Sequence, residues 1–580
     1  MADKISCKYI KAALAALIFG QTAQAQELLP DAGTLLNQQQ RLLPNSRPQQ
    51  NEAEPTVPEL KLDDVNAADK ISVQRIQFQN AQNISTEDQL QKWVSNAVGK
   101  QISFAQLQQV ADQVTEQLRN SGYLLARAYL PKQDVTNGTI TIRILQGQLD
   151  NTKEIGINGE NLRINQLQLQ DILKQNFKAA QAVHKSDLER SLLLMNDLPG
   201  INAHATLAPG QSTGTSKMTV HASEGPLLTG SIWADNFGNH YTGNWRGNGL
   251  LNINDPLHIG DQLRLSMTGS EGIILGSARY ALPLMANGLN MDVHYSNLQY
   301  QIGRELTAIG LEGEATTAGT NLNYPFIRSR TFSLFGSAGY EHRALRDSSK
   351  IAQLTDRQIN EAVVNLTASG IDNWFGGGIN NGHIGFVAGD LDRSDNAKDL
   401  ETDAKFAKSQ GSFAKFTYNL ARLQKLNNQV ALYGSINGQQ ASGNLDSSEK
   451  FILGGPNGVR AYSVGEASGD HGWVINTELR WDVPYAMPIG KLQLVGFVDT
   501  GRITLHDQIY AGAMTNATKK NNYQLSGGGI SLNLTQNSRY QISGTWSAPI
   551  GGNAGRDSKG NNADGGRDSN RFWLQAMVWF

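Results

Sequence analysis

The chain has 580 residues, with 50 basic against 52 acidic side chains and 39% apolar content. The near-balance of charge excludes a global basic field for nucleic acid. The length exceeds one ordinary domain, and no apolar run reaches the ~18 residues of a transmembrane helix.

The first 25 residues carry Lys4, Lys8 and Lys11, then the apolar run AALAALIF, then Ala23-Gln24-Ala25. A basic region, a short hydrophobic region and a small-residue cleavage site read as a secretory signal peptide, so the chain leaves the cytoplasm. Cys7, the only cysteine, lies inside that signal and ahead of its hydrophobic run. The mature chain therefore has no disulfide to rely on and no lipid-anchored N-terminus.

Residues 26–45 follow. Asp31 is a helix N-cap, Ala32 to Leu43 is rich in Leu, Gln and Arg, and Pro44 and Pro48 end the pattern. A single helix of about a dozen residues is marginal alone in water, so it must dock. Residues 46–70, polar and with Pro48, Pro55 and Pro58, read as a linker.

From Ile71 the pattern changes. ISVQRIQFQ alternates as a strand, two helical stretches follow near Thr86–Val98 and Phe104–Ser121, and YLLARAYL and GTITIRILQG read as strands. Residues 71–147 thus form one β-α-α-β-β module. The same order recurs over 148–224, through KEIGING, a helix at Asn165–Phe177 and SDLERSLLLMNDLPG. There Ser186 is the expected N-cap and Glu189 the other half of a capping box. Two copies of one small α/β module stand back to back.

Gly225 to Phe580 contains many short alternating runs, among them LTGSIWADNFG, WVINTELRWDV and KLQLVGFVDTGR. Tight turns such as NINDPLHIGD contrast with long polar connections such as GGNAGRDSKGNNADGGRDSN. A soluble all-β fold and a transmembrane barrel of about sixteen strands both fit this spacing. The last strand favours the barrel: in FWLQAMVWF, Phe572, Leu574, Ala576, Val578 and Phe580 make one apolar row suited to lipid, ending in an interfacial aromatic.

FILGGPNGVRAYSVGE, Phe451 to Glu466, is the most distinctive stretch. It is not a phosphate cradle, because no G-x-x-x-x-G-K-[ST] leads into a helix. FGGGINNGHIG and SGGGIS do not meet a dinucleotide pattern either, and Gly in a barrel strand marks a bend or a packing site. No G-x-S-x-G, H-E-x-x-H or C-x-x-C occurs, and the histidines are scattered. No enzyme, cofactor or metal is expected.

With PDAGTLLNQQQ, SDLERSLLLMNDLPG, DNFGNHYTG, LGGPNGVRAY and FVDTG in this order, the chain resembles the TpsB transporters of two-partner secretion. Contact-dependent inhibition transporters are one branch of that family, and the insertase BamA belongs to the same superfamily. The resemblance implies an N-terminal plug helix, two periplasmic POTRA domains and a sixteen-strand antiparallel outer-membrane barrel over 225–580. A loop at about 441–471 folds back into the lumen.

It also implies that Arg460 of that loop pairs with Asp499 of FVDTG. The strand pattern agrees, since Leu492, Leu494 and Val498 fit an outward row that leaves Gln493, Phe497 and Asp499 facing inward. A bidentate Arg–carboxylate pair fixes geometry as Lys could not. Val459, Tyr462 and Glu478 are expected to help hold the loop, and Gly454, Gly455, Pro456, Asn457 and Gly458 to form its backbone, the glycines giving it flexibility. The family usually has V-R-G-Y. Ala461 stands at the glycine position here, and it disfavours a left-handed backbone.

The expected function is export of one unfolded exoprotein with an N-terminal secretion domain, without ATP. The passenger would be an adhesin, a haemolysin or a contact-dependent inhibition toxin. The POTRA strand edges could accept it as an added strand. Other expected partners are outer-membrane lipid and the barrel assembly machinery through Phe580, with the chain monomeric and no nucleic acid bound. Assembly of other barrels is the alternative. A passive porin would leave the repeats and plug unexplained.

Overall fold

The computed structural model describes residues 30–41 and 70–580, apart from 83, 150–154, 160–161, 178–181, 213, 486, 537–538 and 568. The expected signal peptide, the helix end at Pro44 and all of the expected linker but Lys70 lie outside the described residues.

Helix α1 (Ala32–Arg41) opens where Asp31 accepts a hydrogen bond from the Thr34 N–H at 2.8 Å. In the first module, the run expected as one strand from Ile71 divides in two. Strand β1 (Lys70–Ser72) pairs with β3 (Gln101–Ser103), whereas β2 (Arg75–Gln79) pairs in parallel with β5 (Thr139–Leu145), whose other edge takes β4 (Arg127–Tyr129). The break has a cause in the backbone: the Val73 N–H donates to Lys100 O, while Gln74 and Arg75 both donate to Gly138 O. Successive donors are claimed by different elements. Helices α2 (Glu87–Val94) and α3 (Phe104–Asn120) are capped by Thr86 and by a Ser103–Gln106 capping box. They cover the sheet with Leu90, Leu107, Val114 and Leu118 against Ile140 and Ile142.

The second module repeats the plan with α4 (Gln166–Asn176), α5 (Lys185–Asn196) and a sheet built on β9 (Thr215–Glu224). Its β8 (Ile201–Pro209) pairs antiparallel with β9, and β6 (Gln148–Leu149) and β7 (Gly156–Asn158) pair with β9 in parallel. The expected cap is displaced. Helix α5 starts at Lys185, and His184, not Ser186, accepts from the Ser186 N–H. The ring is held for that role by its other nitrogen, 3.1 Å from Ser121 O, and by an edge contact with Tyr123. An imidazole anchored from the first module therefore takes the cap, and the Ser186 hydroxyl lies 2.7 Å from its Nδ1.

The second module is fastened to the barrel turns. Asn165 N–H donates to His258 O, Gln168 donates to Ile259 O, Arg190 donates to the carbonyls of Asn287 and Pro325, and Arg328 pairs with Asp197.

The barrel is a closed antiparallel sheet of sixteen strands. It runs through consecutive strands from β10 (Leu228–Asp235) to β20 (Val430–Ala441), then from β23 (His471–Asp482) to β27 (Arg571–Trp579). It closes where Ser231–Asp235 pairs with Gln575–Trp579. Apolar residues form its outer surface: Ile232, Ile530, Trp546, Phe572 and Val578 are exposed, as a lipid face requires. Trp573 and Met577, alternating with them on β27, turn inward and are buried.

Candidate functional site

The connection between β20 and β23 enters the barrel. Within it, β21 (Phe451–Ile452) pairs with β22 (Ser468–Gly469), and the hairpin continues as Leu453 N–H donates to Ala467 O and Gly454 N–H to Glu466 O. The glycines are therefore not a flexible tether, which corrects the expectation from sequence. A Cβ on Gly458 would lie 2.1 Å from Leu453 O, and one on Gly454 would lie 2.6 Å from the Glu466 Cβ. Of the three glycines in GGPNG, only Gly455, at φ 114°, needs the left-handed region.

This folded tip carries Arg460 to the barrel wall. Asp499 on β24 (Lys491–Thr504) faces inward because it alternates with Val498, which is 52% exposed on the lipid side. The guanidinium grips Asp499 in a fork, Nε to Oδ2 at 2.9 Å and Nη2 to Oδ1 at 2.7 Å. The Arg460 backbone N–H adds a third bond to Oδ2. Nη1 reaches Glu478 on β23 at 2.7 Å, and Glu478 also pairs with Arg480. Asn476 bridges the two partners, donating from one amide to both Asp499 Oδ1 and Gly458 O. Every oxygen of the buried Asp499 is thus satisfied, which a buried charge requires.

The loop residues around Arg460 have separate duties. Val459 and Tyr462 are buried with Phe451, Leu453, Ile503 and Leu525, and the Tyr462 hydroxyl donates to Ser526 O. Pro456 lines a luminal cavity of about 540 Å³ that also exposes Glu478, Arg480, Asp482 and Lys491. Asn457 lines the same cavity and donates to Arg41 O of the plug helix at 2.8 Å. Ala461 is not among the residues with positive φ, so the strain expected of it does not arise. Its methyl rests on Gly527 of β25 (Asn522–Gln536), where a Cβ would lie 2.4 Å away. Gly501 makes the same room for Leu453, and Gly529 for Phe497. Within SGGGIS, Gly527 is thus the glycine that makes room for the loop itself.

Two strands that sequence reasoning did not connect to the loop also hold it. The Arg460 carbonyl accepts from Ser547 Oγ on β26 (Tyr540–Pro549) at 2.7 Å and from Trp573 Nε1 on β27 at 2.8 Å.

The plug helix lies across the lumen with Leu35 and Leu36 buried against Leu298, Leu345, Ile359 and Leu391. Its N-terminus is seated by Asp347, which accepts from the Ala32 N–H, and by Arg357, which pairs with Asp31, Asp347 and Asp446 at 2.7–2.8 Å. Burial pushes the Asp31 carboxyl up, but the Arg357 charge and the Ser447 hydroxyl outweigh it and hold the group below the usual carboxylate range. Asn37 donates to Lys450 O and Arg41 to Ile452 O, so the helix is bonded to the folded-in loop along its length. Nearby, Glu449 of the loop pairs with Arg343 and Lys415 of the wall.

Comparison with known proteins places this arrangement. The profile of the haemolysin secretion/activation protein family ShlB/FhaC/HecB matches residues 214–534, and a ShlB-type POTRA profile matches 71–147. The heme/hemopexin transporter protein HuxB of Haemophilus influenzae is 28% identical over 522 residues, covering 88% of this chain and 87% of that protein. The outer membrane transporter CdiB of Dickeya dadantii is 22% identical over 463 residues, covering 77% and 79%. The solved structure of CdiB from Escherichia coli superposes with a TM-score of 0.71 at 19% identity, over 95% of this chain and 99% of that one.

Proposed function

The chain belongs to the haemolysin secretion/activation protein family ShlB/FhaC/HecB, and from that membership we propose that the Arg460–Asp499 pair locks a gated export channel. The protein is an outer-membrane transporter of two-partner secretion whose α/β modules face the periplasm. Family membership favours secretion over assembly of other barrels.

The observation that carries the lock is the bidentate grip of Arg460 on a fully buried Asp499, made by a loop that is itself bonded to the plug. Plug and loop occupy one lumen and share bonds, so neither leaves without loosening the other. In this reading the periplasmic modules first receive the unfolded passenger, by strand addition at a free sheet edge. The plug then withdraws and the chain threads past the charged cavity below Arg460. Folding of the passenger outside the cell biases its movement outward, in place of ATP. The barrel acts as a monomer in outer-membrane lipid, and Phe580 presents the C-terminal signal to the assembly machinery.

The passenger is a large exoprotein carrying an N-terminal secretion domain. The name of HuxB adds a heme- or hemopexin-handling exoprotein to the adhesin, haemolysin and inhibition-toxin classes. The test is secretion of such exoproteins, each co-expressed with and without this chain. Appearance of one in the medium only when the chain is present supports the reading. Failure of every exoprotein encoded beside it would reject it.

A further inference from the structure

The turn joining β17 (Ala352–Asp372) to β18 (Gly378–Asp392) displays two of the most exposed aromatics of the described residues: Trp374 is 72% and Phe375 88% exposed. They are held there by construction. Phe375 sits at φ 51°, followed by Gly376 at 94° and Gly377 at 100°. A left-handed backbone is unfavourable for a bulky residue, so something must hold it.

That support comes from β19 (Gly411–Lys425). The Gln424 side-chain amide lies 3.0–3.2 Å from the carbonyls of Trp374, Phe375 and Gly377. Asp372 accepts from the Trp374 N–H and is gripped by both Nη atoms of Arg422, while Asn380 donates to it as well.

The strand alternation tells which way this turn leans. On β19, Phe413 is buried in the plug cluster, so odd positions face the lumen. Phe416 and Leu420, at even positions, are exposed on the lipid side with Ile384 and Phe386 of β18. Arg422 and Gln424 continue that same outer row. The turn is therefore drawn over the outside of the barrel, below the row of Asp372, Asn380 and Arg422 where the apolar face ends.

We propose that the Trp374–Phe375 turn is a lipid anchor, seated among the headgroups of the periplasmic leaflet. Trp is favoured at that depth because its ring is apolar and its indole N–H still finds polar partners. The occupant is lipid because the aromatics continue the lipid face of β17 to β19 on its own side. Among the described residues the second module bonds to the turns 255–261 and 284–289 and to Arg328, beside β10 to β16 (Phe332–Ser349), and makes no bond to 373–377. The anchor would fix the height and tilt of the barrel at the turn next to those the module occupies.

This inference rests on the barrel standing in a bilayer, and the experiment separates the two. The full chain is reconstituted into phosphatidylcholine vesicles with bromine near the headgroup end of one acyl chain. Emission of the wild type is compared with that of Trp374→Phe. The difference is the Trp374 signal, and the remainder includes the lipid-facing Trp481 and Trp546. The anchor predicts that the Trp374 signal loses most of its intensity to bromolipid and little to aqueous iodide. Quenching by iodide alone, with the remainder still sensitive to bromolipid, places the turn in water and overturns the anchor while the barrel reading stands. Protection from both quenchers means protein cover and also overturns it. Insensitivity of all emission to bromolipid overturns the barrel reading with it. Should Trp374→Phe fail to fold, Phe375→Cys in a Cys7→Ser background, spin-labelled, gives the same decision. Greater access to oxygen than to a water-soluble nickel complex supports lipid, and the reverse rejects it.

Discussion

The guanidinium carbon of Arg460 stands 3.5 Å from the centre of the Phe497 ring while the same group forks onto Asp499 two residues along the strand. One strand thus supplies both a carboxylate and an aromatic face. A planar cation satisfies both together, and a lysine ammonium cannot.

Arg460→Ala and Asp499→Ala should each abolish most passenger secretion while leaving the barrel inserted. Arg460→Lys should recover little, since it keeps the charge and loses the fork and the ring contact. Removing one partner of a buried pair costs about 3–5 kcal/mol, enough to empty the locked state. Secretion assays beside heat-modifiable migration of the barrel decide this. Normal secretion by both alanine variants would remove the lock from the mechanism.

Gly527→Ala should clash with Ala461 and lower thermal stability or secretion, on the scale of about 1–3 kcal/mol for overpacking. Ala461→Gly should be tolerated alone and should rescue Gly527→Ala, because it removes the methyl that the new Cβ meets. A double-mutant cycle in Tm measures the coupling. Additive losses would mean that the two residues do not meet.

The barrel was legible because alternation in a closed sheet leaves a period of two in the sequence, and Asp499 could be oriented from Val498 alone. The plug seat was not. Arg357, Asp347 and Asp446 sit on different strands and loops far apart in sequence, each reading as an ordinary luminal charge until the barrel closes. Ala461 was misjudged for a related reason: its neighbour is Gly527, and nothing near position 461 announces it. Nor could local pattern choose His184 over Ser186, since the choice is made by Ser121 and Tyr123 in the other module.

Asp31→Asn should loosen the plug. It removes one carboxylate from Arg357 and leaves Asp347 and Asp446 in place, so the helix shifts its docking equilibrium without unfolding the wall. A hydrogen bond to a charged group is worth about 1.5–3 kcal/mol, so the open population should rise roughly tenfold or more. Single-channel recording in planar bilayers reads this directly, and unchanged open probability would count against the seat.

Acid should do the same to the wild type. The docked Asp31 carboxyl titrates below its ordinary value of 3.8, so docking favours the ionised form. That contribution is complete above the undocked pKa and is lost as pH falls through the docked one. Open probability should therefore rise as pH is lowered below about 4, and Asp31→Asn should flatten the response. A response of equal size in the variant would assign the titration to another group.

The carbonyl of Arg460 accepts from Ser547 and Trp573, both in the final hairpin of the barrel. That hairpin also carries the seam where the cylinder closes, β27 pairing with β10. While the cylinder is open the loop can reach Asp499 and Asn476, but the Arg460 carbonyl has no donor until β26 and β27 are in place. The gate is thus fastened by the same strand that completes the cylinder. A truncated or unfinished barrel carries an incompletely bolted loop, so faithful assembly and a sealed membrane are checked by one contact.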